Sequence, residues 1–159
     1  MSTDYLLPKA KDITAAFGML YGNNIDVKPA EAKPLSENKV YGLFVNADGK
    51  PVAATLCDAP FAAFAGSALM MLPPGGAEEA AETGELTQAM KENVHEIVNI
   101  CSRLFMGDDT PHLKLDKMYT DSSELPEDAR AMIEAATGST GFGIEFPRYG
   151  EGNISFVTT

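Results

Sequence analysis

The sequence predicts an α+β fold, a largely antiparallel sheet made from two β-hairpins and packed with long helices. Three observations carry that expectation. Two pairs of apolar runs, 40–46 with 52–57 and 142–146 with 154–157, flank polar connections that contain glycine, which is the pattern of a hairpin. In segment 85–105, Leu86, Met90, Val94, Ile97, Cys101 and Leu104 advance by three or four residues and so line one face of a helix of about six turns. Finally, both halves of the chain combine helix with hairpin, which suggests a degenerate internal duplication, although no residue-level repeat accompanies it.

In chain order, Pro8 followed by 9–21 reads as a helix, because Ile13, Phe17 and Leu20 recur at helical spacing and proline is tolerated in a first turn. Gly22 and Asn23 end it. Ile25 and Val27 alternate with Asp26 and Lys28 as a short strand, and Pro29 and Pro34 turn the next segment into a connector. The first hairpin turns on Asp48-Gly49. Asp58 is the expected N-cap of an apolar, buried helix over 59–72, stopped by Pro73, Pro74, Gly75 and Gly76. An acidic, alanine-rich piece at 77–82 leads through Gly84 into the long helix 85–105, which Gly107, Asp108 and Asp109 close. A weakly alternating strand at 113–119 precedes a short helix from Leu125 and Pro126 to about Ala136. Gly138 and Gly141 read as a turn before the second hairpin, whose connection spans 147–153.

The chain of 159 residues and 16.9 kDa is 45% apolar, which suits one domain, 1–159, with one core. Its 12 basic residues against 23 acidic ones leave a net charge of −11. That charge argues against nucleic acid, whose binding is driven by phosphate neutralisation, and against an anionic membrane surface. The longest apolar run, 62–72, is shorter than the ~20 residues that span a bilayer. Ser2, Thr3 and Asp4 directly after Met1 leave no apolar leader, and Cys57 and Cys101 are too few for a disulfide framework, so the expected compartment is the cytosol.

Most chemical motifs fail on spacing. His95, His112 and the two cysteines lack metal-ligand spacing, and His95 and Cys101 point roughly 120° apart around the helix. Cys101 falls on the apolar face and reads as a core residue. Gly138, Gly141 and Gly143 precede a strand, whereas a nucleotide-binding glycine loop must open a helix. No G-x-S-x-G elbow is present. The polar face of the long helix is left. Glu92, Glu96, Asn99 and Arg103 fall within an arc of roughly 60°, nearly opposite the apolar stripe. Such a row is also what the solvated face of any amphipathic helix shows. With 13 glutamates and 7 asparagines in the chain, Glu-x-x-Asn arises by chance about 0.6 times, so spacing alone does not assign a role.

The run Glu92-Asn93-Val94-His95-Glu96-Ile97-Val98-Asn99, in a long helix after a helix, a hairpin and an alanine-rich helix, resembles the CheC/CheX/FliY chemotaxis phosphatases. Their signature is an acidic residue or Ser, three residues, Glu, two residues, Asn; Glu96 and Asn99 match its last two positions. The hairpin at 40–57 with Gly66-Ser67-Ala68-Leu69-Met70 resembles the family's first half, and 141–157 its closing hairpin. The resemblance implies a CheC-like or CheX-like fold and a phosphatase acting on the aspartyl phosphate of a response-regulator receiver domain. Asn99 would position the attacking water, since an amide both donates and accepts, and Glu96 would pair with the receiver's lysine. Glu92 and Arg103 would touch the partner. The resemblance further implies a homodimer with no cofactor of its own, the magnesium being held by the receiver.

Three departures accompany the match. Glu92 stands where Asp or Ser is common, Arg103 where a small residue is usual, and the first helix has no Glu-x-x-Asn, which leaves one site per chain, as in the CheX type. The alternatives are a non-catalytic dimeric interaction module of the same fold and a small-ligand sensor. The latter requires an apolar pocket under the helices.

Overall fold

The computed structural model describes residues 5–22 and 24–159. Asn23, read with Gly22 as a helix stop, lies outside them, as do residues 1–4. The described elements are α1 (Ala10–Tyr21), β1 (Asp26–Ala30), β2 (Val40–Val45), β3 (Pro51–Cys57), α2 (Ala59–Ala68), α3 (Pro74–Thr83), α4 (Gln88–Cys101), β4 (Lys114–Tyr119), α5 (Glu127–Ala135), β5 (Gly138–Phe146) and β6 (Gly150–Thr158), with short 3₁₀ turns between them.

The two expected hairpins form. In the first, the β2–β3 turn is closed by Asn46, whose side-chain oxygen accepts from the amides of Asp48 and Lys50 at 2.9 and 3.0 Å, and Gly49 takes a positive φ of 78°. In the second, β5 and β6 pair from Gly138↔Thr158 to Phe146↔Gly150. β3 and β6 then pair antiparallel, which joins the hairpins into one six-stranded sheet of order β1-β5-β6-β3-β2-β4. The order is palindromic. Each hairpin carries on its outer strand the lone strand that precedes the other hairpin, β1 on β5 and β4 on β2. The duplication expected from the sequence is therefore strand followed by hairpin, with the lone strands exchanged.

Helices cover both faces of this sheet. Along β2, Val40 and Phe44 enter the main core with Ile13, Phe17, Phe61, Val94, Ile97 and Cys101, while Tyr41 and Leu43 point to a second cluster with Leu56, Val157, Ala129 and Ile133. Thus α1, α2 and α4 lie on one face and α5 on the other, because side chains alternate across a strand. Aromatic edges knit the first face: Phe61 meets Phe146 at 5.7 Å, and Phe105 meets Phe44 and Phe156 at 5.3 and 5.7 Å between ring centroids.

Several boundaries differ from the sequence reading. The apolar helix ends at Ala68 instead of residue 72, and Pro74, Gly75 and Gly76, read as its stop, open α3. Proline at the first helical position gives up only an amide that would lack an intrahelical partner. Ala77 and Ala80 then bury against α2 and its neighbours. Pro29 is part of β1, which a proline tolerates because β1 is an edge strand. Gly138 and Gly141 are strand residues, and the second connection shrinks from 147–153 to 147–149. Gly141 has a packing reason: a Cβ there would lie 2.8 Å from the backbone of Glu31 and Ala32.

Candidate functional site

Helix α4 is shorter than the predicted 85–105. Its N-cap is Thr87, whose hydroxyl accepts from the Met90 amide at 3.2 Å, so Glu85 and Leu86 precede the helix. At its other end the chain tightens into a 3₁₀ turn over Ser102–Phe105. Ser102 donates its amide to the carbonyl of Asn99, three residues back. Arg103, expected on the straight row with Glu92, Glu96 and Asn99, therefore sits on this tighter turn and not on regular helix.

The inner face of α4 is fixed by contacts from two directions. Met90, Val94, Ile97, Val98 and Cys101 are buried. Val98 lies over β2 at Gly42, where an added Cβ would fall 2.3 Å from a Val98 methyl. Gly66 of α2 brings the two helix backbones together, since a Cβ there would be 2.7 Å from the Met90 carbonyl oxygen. Burial pushes the Cys101 thiol up to about 12 and the Cys57 thiol well above its ordinary value, which makes both inert core groups.

Asn93 belongs to this packed side. Its amide nitrogen donates to the Gly66 carbonyl at 2.7 Å. That carbonyl is one of the last four of α2, which have no partner within the helix. The others are met by nearby amides, Ala65 accepting from Leu69, Ser67 from Leu72 and Ala68 from Met71, with the distant Tyr21 hydroxyl also donating to Ala65. Asn93 therefore caps another helix across 27 positions of sequence.

On the outer face Glu92, His95, Glu96, Asn99 and Arg103 are all exposed. Glu92 accepts a 3.3 Å hydrogen bond from Gln88. The ion pairs among the described residues are Lys28–Glu151 and Lys33–Asp58, so Glu96 and Arg103 have no charged partner there. Glu96 and Asn99 stand one turn apart on regular helix and face solvent. A shallow depression of about 270 Å³ flanks the row, lined by Glu92, His95, Gln88, Lys91 and, from β4, Met118. His95, which lacks metal-ligand spacing in the sequence, lines this depression. Met118 has no signal in the local pattern, because only the pairing of β4 with β2 brings it beside α4. No group of three or more His, Cys, Asp or Glu side chains that could hold a metal ion occurs among the described residues. No helix among them is long and apolar enough to cross a membrane.

No family model matches the chain, and no curated protein matches it. Solved structures do. The FliM–SpeE complex from H. pylori contains a chain matching 94% of this one over 80% of its own length, at 6% identity and a TM-score of 0.64. The CheX–CheY–BeF3–Mg complex from Borrelia burgdorferi matches 91% of this chain and 90% of its own, at 14% identity and a TM-score of 0.52. FliY from Thermotoga maritima matches 92% and 81%, at 11% identity and a TM-score of 0.51. The protein has the CheC/CheX/FliY fold, with its six-stranded antiparallel sheet and helices on both faces.

Proposed function

We propose that residues 1–159 act as one cytosolic signalling domain that docks the outer face of α4 on a phosphorylated response-regulator receiver and speeds hydrolysis of its aspartyl phosphate. Asn99 holds the attacking water in line with phosphorus, and Glu96 pairs with a receiver lysine. Glu92 and Arg103 contact the receiver beside them. The magnesium that neutralises the phosphoryl group is bound by the receiver, and this chain, acting as a homodimer, supplies no metal ligand. The observation that carries the reading is the state of Glu96 and Asn99: both are exposed, adjacent along the helix, and free of ionic partners among the described residues. The similarity to a CheX solved with CheY, BeF3 and magnesium supports the choice of a receiver as partner.

The test is the lifetime of a phosphorylated receiver mixed with the protein. The expected result is a shortened lifetime that Asn99→Ala abolishes and Glu96→Ala weakens, with unchanged circular dichroism in both variants. An unaltered lifetime across the receivers of the same cell would overturn the proposal. A non-catalytic dimeric module is the second reading, favoured by Arg103 exposed beside the row where a small residue is usual. Receiver binding that leaves the phosphoryl lifetime unchanged and is indifferent to Asn99→Ala would establish it.

A further inference from the structure

A cleft of about 610 Å³ opens beneath α5, on the face of the sheet opposite α4. Its size lies within the range of small-molecule sites, roughly 300–1,000 Å³. The small-ligand alternative required an apolar pocket under the helices, and this cleft lies under one of them, α5. Its floor is apolar and comes from three elements: Leu56 of β3, Val157 of β6 and Ile133 of α5, all buried. Its polar wall holds Lys33, Ser122 and Arg130.

The two cations differ in what they have left to give. Lys33 lies 2.7 Å from the buried carboxylate of Asp58, so its charge is already matched. That carboxylate is fully engaged, because it also caps α2 through Phe61 and accepts from the Asn153 amide of β6. Arg130 forms no ion pair among the described residues. Glu127 and Glu134 flank it at three and four residues on its own helix, and acidic residues outnumber basic ones 23 to 12, yet no carboxylate among the described residues reaches it. Its side chain donates to the Ser122 carbonyl, which leaves most of its five N–H donors unused. The half-buried Arg130, sharing a cleft with these apolar side chains, suits a planar carboxylate joined to an apolar group, since its guanidinium fork can bind both oxygens. Exposed Glu134 at the rim disfavours a doubly charged ligand.

We propose that this cleft binds a small organic monocarboxylate, its anion on Arg130 and its apolar body on Leu56, Ile133 and Val157. The test titrates the full chain with octanoate while following backbone amide NMR shifts. Saturable shifts are expected at Leu56, Arg130, Ile133 and Val157, with none of that pattern from acetate, inorganic phosphate or octylammonium. Arg130→Gln removes a charged hydrogen-bond donor and should weaken octanoate about tenfold. Ser139→Phe, which fills the cleft from β5 without touching the anion's partner, should weaken it by a similar factor and serves if the Arg130 variant fails to fold. Absence of saturable shifts at these amides, equal binding of octylammonium or phosphate, or unchanged affinity in a folded variant would overturn the proposal. Dephosphorylation of a receiver through α4 is a separate reading, and its failure leaves this titration unaffected.

Discussion

The two faces of α4 each carry an asparagine, and the two side chains live under opposite constraints. Asn93 is half-buried and committed to the Gly66 carbonyl at 2.7 Å, closing the C-terminal end of α2. Asn99, six positions on, is exposed at the last regular turn of the helix. One bonds a neighbouring helix, whereas the other faces solvent. The comparison teaches that residue type and helical spacing nominate candidates, and that the supply of unmet polar groups nearby decides which candidate is free.

The contrast can be broken most severely from the inner side. Ile97 is fully buried between the outward-facing Glu96 and the core, and Ile97→Ala should cost roughly 2–5 kcal/mol in denaturant unfolding. If the loss were below that range, α4 would not be anchored as the packing implies. Next comes alkaline pH. The folded Cys101 thiol is pushed from 9.0 to about 12 by burial, with Cys57 and Tyr21 raised in the same direction, chiefly by burial too. Their neutral forms belong to the fold. The associated stability is therefore complete below about pH 9 and is lost as pH rises towards 12, by up to about 4 kcal/mol for Cys101. Unfolding measured from pH 8 upwards checks this, and Cys101→Ala should flatten part of the slope. A stability that stayed level to pH 12 would contradict the burial of the thiols.

Asn93→Ala comes third. It strands a carbonyl near the end of α2 and should cost roughly 1–3 kcal/mol, read as a lowered denaturation midpoint. Asn99→Ala is the smallest in stability, within about 0.5 kcal/mol, as expected for an exposed side chain without a hydrogen-bond partner among the described residues. Its effect on phosphoryl lifetime should nonetheless be the largest of the set. Reversed stability effects of the two asparagine variants would end the comparison.

Much of the architecture was legible in the chain because the signals are local. Asp48-Gly49 with flanking apolar runs specifies the first hairpin, and the steps Met90, Val94, Ile97, Cys101 specify the buried side of α4. The glycine and proline signals misled wherever tertiary contacts overrode local preference. Pro74 to Gly76 start α3, whose alanines pack against α2, and Gly141 stays in β5 because the chain at 31–32 crosses directly above it. Local sequence could show neither neighbour. The same limit applies to Arg103: the change from α to 3₁₀ geometry at Ser102 departs from the constant ~100° per residue that places it in the row.

The sequence by itself determined which side of α4 meets the core, since apolar periodicity and helix geometry leave one arrangement that buries the stripe. It also determined the two hairpins, through alternation and turn residues. Only the tertiary structure decided that Asn93 bonds the end of α2 while Asn99 faces solvent, that α5 takes the opposite face of the sheet, and that Arg130 stands by buried apolar side chains with no carboxylate paired to it among the described residues. Each of those outcomes depends on groups far apart in the chain: Gly66 lies 27 residues from Asn93, and the floor beside Arg130 includes Leu56 of β3 and Val157 of β6. Hydrogen bonding and ion pairing are short-ranged in space, so which groups are satisfied is settled only once the fold has chosen the neighbours.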